Sequence, residues 1–204
     1  MWALVEDNNV TQVFIKPKAL TIGDINYPSN IFTMWSKSEL EAIGIYEVVI
    51  DNSNFKDQEY YINTNQSFNF ANGTVTASYG TATAKALDDA LYTAQDETDG
   101  LGTEGELKAK GLKSIKKEDI NRQAASLLQF TDWMVIRATE GGTAVPSSIT
   151  TQRAAVRTKS NEMCTAIDNA ADMDALVTLY TYTNTGTEEE PVYTRPLGEL
   201  PQVG

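Results

Sequence analysis

Hydrophobic and polar positions alternate near the start of the chain in a pattern that predicts a β-hairpin. Residues 2–5 and 10–15 are apolar and rich in β-prone side chains. The polar residues at 6–9, Glu-Asp-Asn-Asn, include the residue types that tolerate turn conformations. We therefore expect two antiparallel strands joined by a turn in this first segment.

A short helix and a third strand are predicted next. Residues 16–35 are punctuated by proline and glycine and are expected to form a loop. Ser36 and Glu39 have the spacing of a capping box, in which each side chain accepts a hydrogen bond from the other's backbone amide. Gly44 stands where glycine commonly ends a helix, and the apolar residues 45–50 follow as a strand.

A β-meander is predicted over residues 59–79. Phe68 and Phe70 alternate with polar neighbours, and the Asn-Gly pair at 72–73 favours a two-residue turn. Every second residue from 75 to 79 is apolar, and the residues before and between them carry hydroxyl groups. Such a strand is half-buried or lies against a partner chain. An ordinary sheet with one solvated face is the simpler interpretation.

Helical periodicity begins after the meander. Residues 82–95 are rich in Ala and Leu and contain neither Pro nor Gly, which predicts a first helix. A second helix is expected over residues 107–130, because Thr103 and Glu106 have capping-box spacing just before it. Gly111 weakens this helix by about 1 kcal/mol relative to alanine and predicts a bend.

Two more helices are predicted farther along the chain. Residues 150–169 place apolar side chains at helical spacing, and the stripe continues to Ala170. Asp172 can cap a final short helix that carries Leu176. The two long helices, joined by a loop, indicate an antiparallel helical hairpin.

Together these patterns predict an α+β protein. Residues 1–80 are expected to form a β-rich N-terminal domain with a small antiparallel β-sheet, a short helix and the meander. Residues 81–182 are expected to form an α-helical C-terminal domain built on the helical hairpin. Residues 183–204 contain three prolines and three glycines and are expected to be an extended tail.

Charge and composition narrow the range of partners. The chain of 204 residues has 16 Lys+Arg and 28 Asp+Glu, so its formal net charge is −12. Such a surface repels phosphate backbones and anionic lipids, so neither nucleic acid nor a membrane is expected as a partner. No apolar run is long enough to span a bilayer, and the first ten residues lack a signal-peptide pattern. We therefore expect synthesis in a reducing cytoplasm.

The candidate chemical groups favour structural roles. The chain has no histidine and one cysteine, Cys164, which is expected to be buried and structural. Asp96, Glu97 and Asp99 crowd one loop but do not keep the spacing of a calcium-binding loop. The lysine-rich segment 108–117 is the one basic patch and is expected to face water or an acidic neighbour. We expect no enzyme activity, no cofactor and no metal.

Trp133 is the most conspicuous candidate for an interaction. It follows the Thr-Asp pair at 131–132, which is expected to end the second helix, and it could fold back over the leucines at 127–128. Arg153 and Arg157 are four residues apart on one helical face and would offer guanidinium groups to acidic partners. An amphipathic core helix with a solvated side is the simpler interpretation.

A series of Arg, Leu and Trp residues extends along the sequence from the second predicted helix into the third. It consists of Arg122, Leu127-Leu128, Thr131-Asp132-Trp133, Arg137 and Arg153-Ala154-Ala155-Val156-Arg157. This series resembles the C-terminal domain of bacteriophage tail-assembly-chaperone and tail-fibre-assembly proteins, in which a helix ends in a Thr-Asp-Trp turn and a second helix carries an R-x-x-L/V-R element. The family usually has Trp-x-x-Tyr before those arginines, where this chain has Ile-Thr-Thr-Gln at 149–152.

The N-terminal half is similar to the same phage proteins. The resemblance there is carried by MWALVEDNNV, by YPSNIF with the following SELEAIGIYEVV, and by NGTVTASYGTATAKAL. The layout over residues 1–180 is similar to that of small tail proteins of marine phages.

The resemblance implies a structural component of a phage tail, located in the virion and made in the host cytoplasm. A fibre, fibre-base or tail-tip protein of this kind would form a homo-oligomer, with a trimer favoured, and dock to other tail proteins. Trp133, Arg137, Arg153 and Arg157 are the residues expected at the interaction surface.

Two alternatives stay open at this point. A non-virion tail-fibre assembly chaperone would hold fibre subunits before they assemble and would be absent from finished particles. An enzyme such as a glycan depolymerase would need two facing carboxylates.

Overall fold

A computed structural model describes residues 1–202 of the chain. The described residues form two compact units, the first over residues 1–83 and the second from residue 84 onward. Strands dominate the first unit and helices the second, so the predicted α+β class is confirmed.

The first unit combines a five-stranded sheet with two short helices. Its strands are β1 (Trp2–Glu6), β2 (Asn9–Phe14), β3 (Leu20–Ile22), β4 (Ile25–Tyr27), β5 (Ile45–Asp51), β6 (Tyr61–Ile62), β7 (Gln66–Ala71) and β8 (Thr74–Tyr79), with β9 (Thr83–Ala84) at the boundary. Its helices are α1 (Ile31–Met34) and α2 (Lys37–Ala42). The order of strands in the sheet is β2-β1-β5-β8-β7.

The turns predicted in this unit are confirmed. Asp7 and Asn8 join β1 to β2 with φ angles of 50° and 62°, the left-handed conformation that Asp and Asn tolerate best after glycine. Asn72 and Gly73 join β7 to β8 in the same way, with φ angles of 52° and 73°. Each turn reverses the chain within two residues and fixes the register of the strands on either side.

The helix predicted after residue 36 is also confirmed. The Ser36 hydroxyl accepts a hydrogen bond from the Glu39 amide, and the Glu39 carboxylate accepts one from the Ser36 amide at 2.7 Å. Gly44 follows the helix with a φ angle of 83°. The preceding segment, predicted as a loop over 16–35, instead contains the β3–β4 hairpin and α1.

One strand pair departs from the antiparallel sheet predicted from the sequence. β5 and β8 are parallel, with Val48 opposite Val75 and Asp51 opposite Ser78. The connection between them contains β7, which occupies the edge of the sheet, and it is long enough for the crossover that parallel strands require. Alternation along a strand does not specify the direction of its neighbour, so the sequence pattern could not supply this detail.

The two faces of the sheet bury different cores. One face packs beneath α1, α2 and the β3–β4 hairpin, and its buried residues are Leu4, Phe14, Leu20, Ile31, Phe32, Leu40 and Ile45. The other face buries Ala3, Val48, Val75 and Ala77, with Phe68 and Phe70 packed against them. Burial on both faces explains why β1 is more apolar than a strand with one solvated face. On β5 only Ile45 and Val48 are buried, and Val49 and Ile50 are more than half exposed.

The second unit is built around an antiparallel helical hairpin. Its helices are α3 (Ala94–Thr98), α4 (Leu112–Gln129), α5 (Asp132–Thr139), α6 (Ser147–Asp168) and α7 (Met173–Tyr180), and its strands are β10 (Ala90–Leu91), β11 (Leu107–Ala109), β12 (Thr183–Asn184) and β13 (Tyr193–Thr194). Helices α4 and α6 form the predicted hairpin.

Apolar stripes on α4 and α6 form the core of this hairpin. Ile120 and Ala124 are buried on α4, and Val156, Met163 and Ile167 are buried on α6. The stripes lie at the helical spacing expected from the sequence, so this part of the prediction is confirmed. The final helix is confirmed as well, because the Asp172 carboxylate accepts the Ala175 amide at 2.8 Å and Leu176 is fully buried.

The helix predicted over residues 82–95 is wrong. Part of this segment caps the start of α4: the amides of Leu112 and Lys113 donate to the carbonyl oxygens of Ala86 and Leu87 at 2.9 and 3.0 Å. The first amides of a helix have no partner within it, and these carbonyl groups satisfy them. Pairing with α4 and with β11 outweighs the weak helical preference of an Ala-rich sequence.

The start of the second predicted helix also differs. Residues 107–109 form β11, and the capping box is found at Thr93 and Asp96 on α3. Gly111 is the N-cap of α4 and produces no bend within it. A Cβ atom at Gly111 would lie 2.3 Å from the backbone of Asp88, so close approach of two backbones explains the glycine.

The segment after α7, predicted to be extended, instead folds against the helices. β12 and β13 pair as an antiparallel hairpin. Leu197 is 1% exposed, and its amide donates to the carbonyl oxygen of Leu179 at 3.0 Å. The last two residues of the predicted tail, 203–204, lie outside the described residues.

Candidate interaction surface

Two of the predicted interaction residues, Trp133 and Arg137, lie on α5, and a third, Arg153 of α6, contacts the turn between α4 and α5. α4 ends at Gln129 and α5 begins at Asp132. Thr131 is buried between them, and its hydroxyl donates to the carbonyl oxygen of Leu128 at 3.1 Å. The Thr-Asp pair thus ends one helix, as predicted, and also starts the next.

Arg153 of α6 closes this turn from the opposite helix. Its guanidinium group donates from Nη1 to the Leu128 carbonyl at 2.7 Å and to the Thr131 hydroxyl at 2.6 Å, and from Nη2 to the Asp132 carboxylate at 2.7 Å. The residue is 6% exposed. A planar group with several fixed donors suits such a set of acceptors, and the carboxylate offsets part of the cost of burying the charge.

The two arginines predicted to offer guanidinium groups to partners therefore differ. Arg153 is buried and holds its own chain together, so it does not present its charge to an acidic partner. Arg157, one turn farther along α6, is exposed. The spacing of four residues placed both near the same side of α6, but it could not indicate that α5 covers the first of them.

Trp133 does not fold back over Leu127 and Leu128 as predicted. It belongs to α5 and is 53% exposed. The guanidinium carbon of Arg137, one turn later, lies 4.9 Å from the centroid of the Trp133 ring. This is the geometry of a cation–π contact, which fixes the ring on the outside of the helix. The two leucines are half-buried without it.

Phe130, the residue that follows α4, and Ile136 of α5 are two further large apolar residues with exposed side chains close to Trp133 in the sequence. They are 76% and 57% exposed. We call these three side chains the α5 surface. The sequence interpretation missed Phe130 and Ile136. A signal was present, because α5 carries apolar side chains around most of its circumference, more than one buried face can accommodate.

A small cavity adjoins α5 on the side of α6. It has a volume of ≈ 270 Å³ and is lined by Val135, Val145, Thr150, Arg153 and Arg157. The exposed guanidinium group of Arg157 gives this cavity a positive charge.

Four of the five lysines of the predicted basic patch are paired with acids of the same chain, and the fifth, Lys116, is buried with its Nζ 4.6 Å from the centroid of the Tyr180 ring. Lys108 contacts Asp96 at 2.7 Å, Lys113 contacts Asp88 at 3.0 Å and Lys117 contacts Asp168 at 2.6 Å. Lys110 pairs with Glu118. The acidic partners of this patch are therefore Asp88 and Asp96 before α4, Glu118 on α4 and Asp168 at the end of α6.

The acidic residues at 96–99, predicted to lie in a loop, instead belong to α3 and its C-cap, and Asp96 is paired within the chain. The hydrogen bond from Lys108, followed by those from Thr93, holds the pKa of Asp96 at about 2, below its ordinary value of 3.8. Across residues 1–202, no group of three or more Cys, Asp or Glu side chains is arranged to hold a metal ion.

Cys164 is half-buried on α6 with its Sγ atom 3.8 Å from the Asn121 amide oxygen. Burial raises the pKa of its thiol above the ordinary value. The thiol is therefore protonated at neutral pH and is not an activated nucleophile.

None of the helices in the described part of the chain is long and apolar enough to cross a membrane.

Comparison with known proteins gives no match for this chain among protein-family models, curated sequences or solved structures.

Proposed function

We propose that the protein is a structural component of a phage tail, as a fibre, fibre-base or tail-tip protein. It acts through surfaces: it associates with copies of itself and docks to other tail proteins, without catalysing a reaction. Its site of action is the virion, and the host cytoplasm is where it is made. The series of residues from Arg122 to Arg157 that resembles phage tail-assembly proteins supports this assignment.

The observation that carries the proposal is the α5 surface. Phe130, Trp133 and Ile136 expose more than half of their side chains within a stretch of seven residues. Isolated exposed apolar residues are ordinary, but several large ones within so short a stretch favour a surface that contacts another macromolecule. Trp and Arg are the residues most often found to dominate binding energy, and Trp133 and Arg137 are stacked on this surface.

The framework beneath the α5 surface is rigid, which favours binding. Arg153 ties the end of α4 and the start of α5 to α6 through three hydrogen bonds. A surface held in one conformation loses little conformational entropy when it meets a partner. A small entropy loss at each contact favours a symmetric assembly, because the same contact is repeated around the symmetry axis.

The test is the composition of purified particles of the phage that encodes the chain. Particles are banded on a density gradient, and the peptides of this protein are quantified by mass spectrometry against those of the major tail proteins. We expect a fixed copy number per particle that survives a high-salt wash. Recovery of the protein from the soluble lysate alone would overturn the proposal.

A non-virion tail-fibre assembly chaperone is the alternative function. It would use the same α5 surface to hold fibre subunits, but it would be released before the particle is complete. The particle measurement separates the two, because a chaperone is present in the lysate with fibre protein and absent from banded particles.

A further inference from the structure

Three aromatic side chains of the first unit line a pocket that the tail function does not use. The pocket has a volume of ≈ 230 Å³, and Trp2, Phe32 and Trp35 form much of its wall. Lys37 and Glu47 contribute its charged groups. A concave site that combines apolar walls with a few polar groups is the usual form of a small-molecule site, and this volume suits a small ligand.

The sheet and the elements above it fix the positions of these side chains. Trp2 on β1 is the cross-strand partner of Glu47 on β5, so the two side chains lie on the same face of the sheet. The Phe32 ring of α1 is 5.0 Å from the Trp2 ring at an angle of 54°. Tyr27 meets Trp35 edge-on, with centroids 5.8 Å apart, and orients it at the mouth of the pocket.

The uncompensated charge of the pocket is negative. The ammonium group of Lys37 has a counterion of its own, because it lies 3.7 Å from the Glu41 carboxylate. Glu47 is exposed, and within residues 1–202 its carboxylate has no hydrogen bond or ion pair with another side chain. A ligand that completes this site should therefore bring a positive charge together with apolar surface.

We propose that the pocket binds a small quaternary ammonium cation, with its methyl groups against the rings of Trp2 and Trp35 and its charge beside Glu47. The faces of aromatic rings carry negative electrostatic potential, and sets of such rings are known to hold quaternary ammonium groups. A quaternary ammonium group has no N–H bonds, so it loses no hydrogen bonds when it enters an apolar pocket. A primary ammonium group is a strongly hydrated point charge and would lose them.

The experiment is an NMR titration of the full chain that follows the indole N–H signals of its three tryptophans, with choline chloride as the probe. Sodium chloride keeps the ionic strength constant. We expect the Trp2 and Trp35 signals to shift in a saturable way with a Kd on the order of 1 mM. Trp133 is the internal control, because Arg137 already covers its ring.

An uncharged probe of the same shape, 3,3-dimethylbutan-1-ol, separates charge from apolar contact. It should bind about tenfold more weakly than choline, since it lacks the cation–π and carboxylate attraction. Equal affinities for the two probes, shifts of Trp133 as large as those of Trp35, or a response that does not saturate would each overturn the proposal.

Two matched variants test the role of the carboxylate. Glu47→Gln should weaken choline binding about tenfold and leave the binding of the uncharged probe unchanged. Glu6→Gln removes an exposed carboxylate from β1 and should leave both unchanged. Identical choline affinities in these two variants would overturn the assigned role of Glu47. Trp35→Ala, with the rest of its spectrum native-like, should abolish saturable binding.

Discussion

Arg153 donates a hydrogen bond from Nη1 to the backbone carbonyl oxygen of Leu128, across the helical hairpin, at 2.7 Å. That carbonyl belongs to the last turn of α4 and also accepts hydrogen bonds from the Thr131 amide and the Thr131 hydroxyl, each at 3.1 Å. A side chain of α6 thus adds to the hydrogen bonds that end α4. The same guanidinium group holds the first residue of α5, so one residue positions the α5 surface.

We expect Arg153→Met to lower the free energy of unfolding by about 2–3 kcal/mol. The change removes the three hydrogen bonds that the guanidinium group donates to Leu128, Thr131 and Asp132, while the Leu128 carbonyl keeps those from Thr131. The partial exposure of the Asp132 carboxylate keeps the loss below that of a fully buried ion pair. Urea unfolding followed by circular dichroism measures the difference.

Arg157→Met is the matched control for this substitution. Arg157 lies one turn along the same helix and is exposed, so the change should alter the free energy of unfolding by no more than about 0.5 kcal/mol. Equal losses in the two variants would show that Arg153 does not have the structural role assigned to it.

Substitution of the α5 surface should weaken self-association and leave the fold intact. We expect Ile136→Ser to raise the concentration at which copies of the chain associate by about tenfold, because a central apolar contact is lost. Sedimentation velocity over a concentration series measures this shift. Ile50→Ser in β5 is the control, since Ile50 is 52% exposed and Ile136 57%. A similar shift for both variants would contradict a specific role for α5.

The Asp96 carboxylate should titrate at unusually low pH. Its pKa in the folded chain is about 2, below the ordinary value of 3.8. The folded state thus favours the ionised form, so this group stabilises the fold above its ordinary pKa, and the contribution is lost as the pH falls towards 2. Lys108→Met should raise the pKa of Asp96, because the hydrogen bond from Lys108 is the largest cause of its lowering.

The measurement is the carboxyl carbon chemical shift of Asp96 followed by NMR between acidic and neutral pH. Lys16→Met, which changes an exposed lysine in the first unit, is the control and should leave the midpoint of Asp96 in place. An unchanged midpoint in Lys108→Met would mean that the hydrogen bonds from Thr93 lower the pKa without help from Lys108.

Gly111→Ala should destabilise the second unit. The new Cβ atom would lie 2.3 Å from the Asp88 backbone, which must move and disturb the cap of α4, at a cost of about 1–3 kcal/mol. Gly80→Ala is a milder comparison, because its Cβ would meet the Thr64 side chain at 3.2 Å. Urea unfolding of both variants distinguishes a backbone obstruction from the general effect of replacing glycine.

The elements that the sequence predicted well depend on short-range patterns. The turns at Asp7–Asn8 and Asn72–Gly73 and the capping box at Ser36 each involve residues within three positions of one another. The apolar stripes of α4 and α6 are equally local. In each case the physical cause lies inside the window that the pattern spans, so it could be recognised without knowledge of the tertiary structure.

The elements that it missed depend on distant partners. Residues 86–89 have helical composition, but the carbonyl groups of Ala86 and Leu87 accept the first amides of α4, and the Asp89 carboxylate accepts the amide of its N-cap, Gly111. The parallel pairing of β5 with β8 is decided by which strand occupies the neighbouring position. The spacing of residues in a helix or a strand indicates neither of these pairings. In both cases tertiary contacts, and not the local sequence preference, decide the structure.

The sequence indicated which residue types belong to the candidate site, but it did not indicate which of those residues are exposed. Trp133 and Arg137 do lie on the surface of α5, in contact with each other. Arg153 and Arg157 have the same charge and similar positions in a helical pattern, but one is buried and the other exposed. Which arginine is covered depends on where α5 packs, and that information is absent from the spacing along α6.

The anchoring of Leu197 has a consequence for proteolysis. The glutamates at 188–190 lie in an exposed loop, whereas the chain beyond them is held by the β12–β13 pairing and by the burial of Leu197. A protease that cut this loop would therefore produce a nicked molecule whose two fragments stay together, and the cut would become visible when a denaturant separates them.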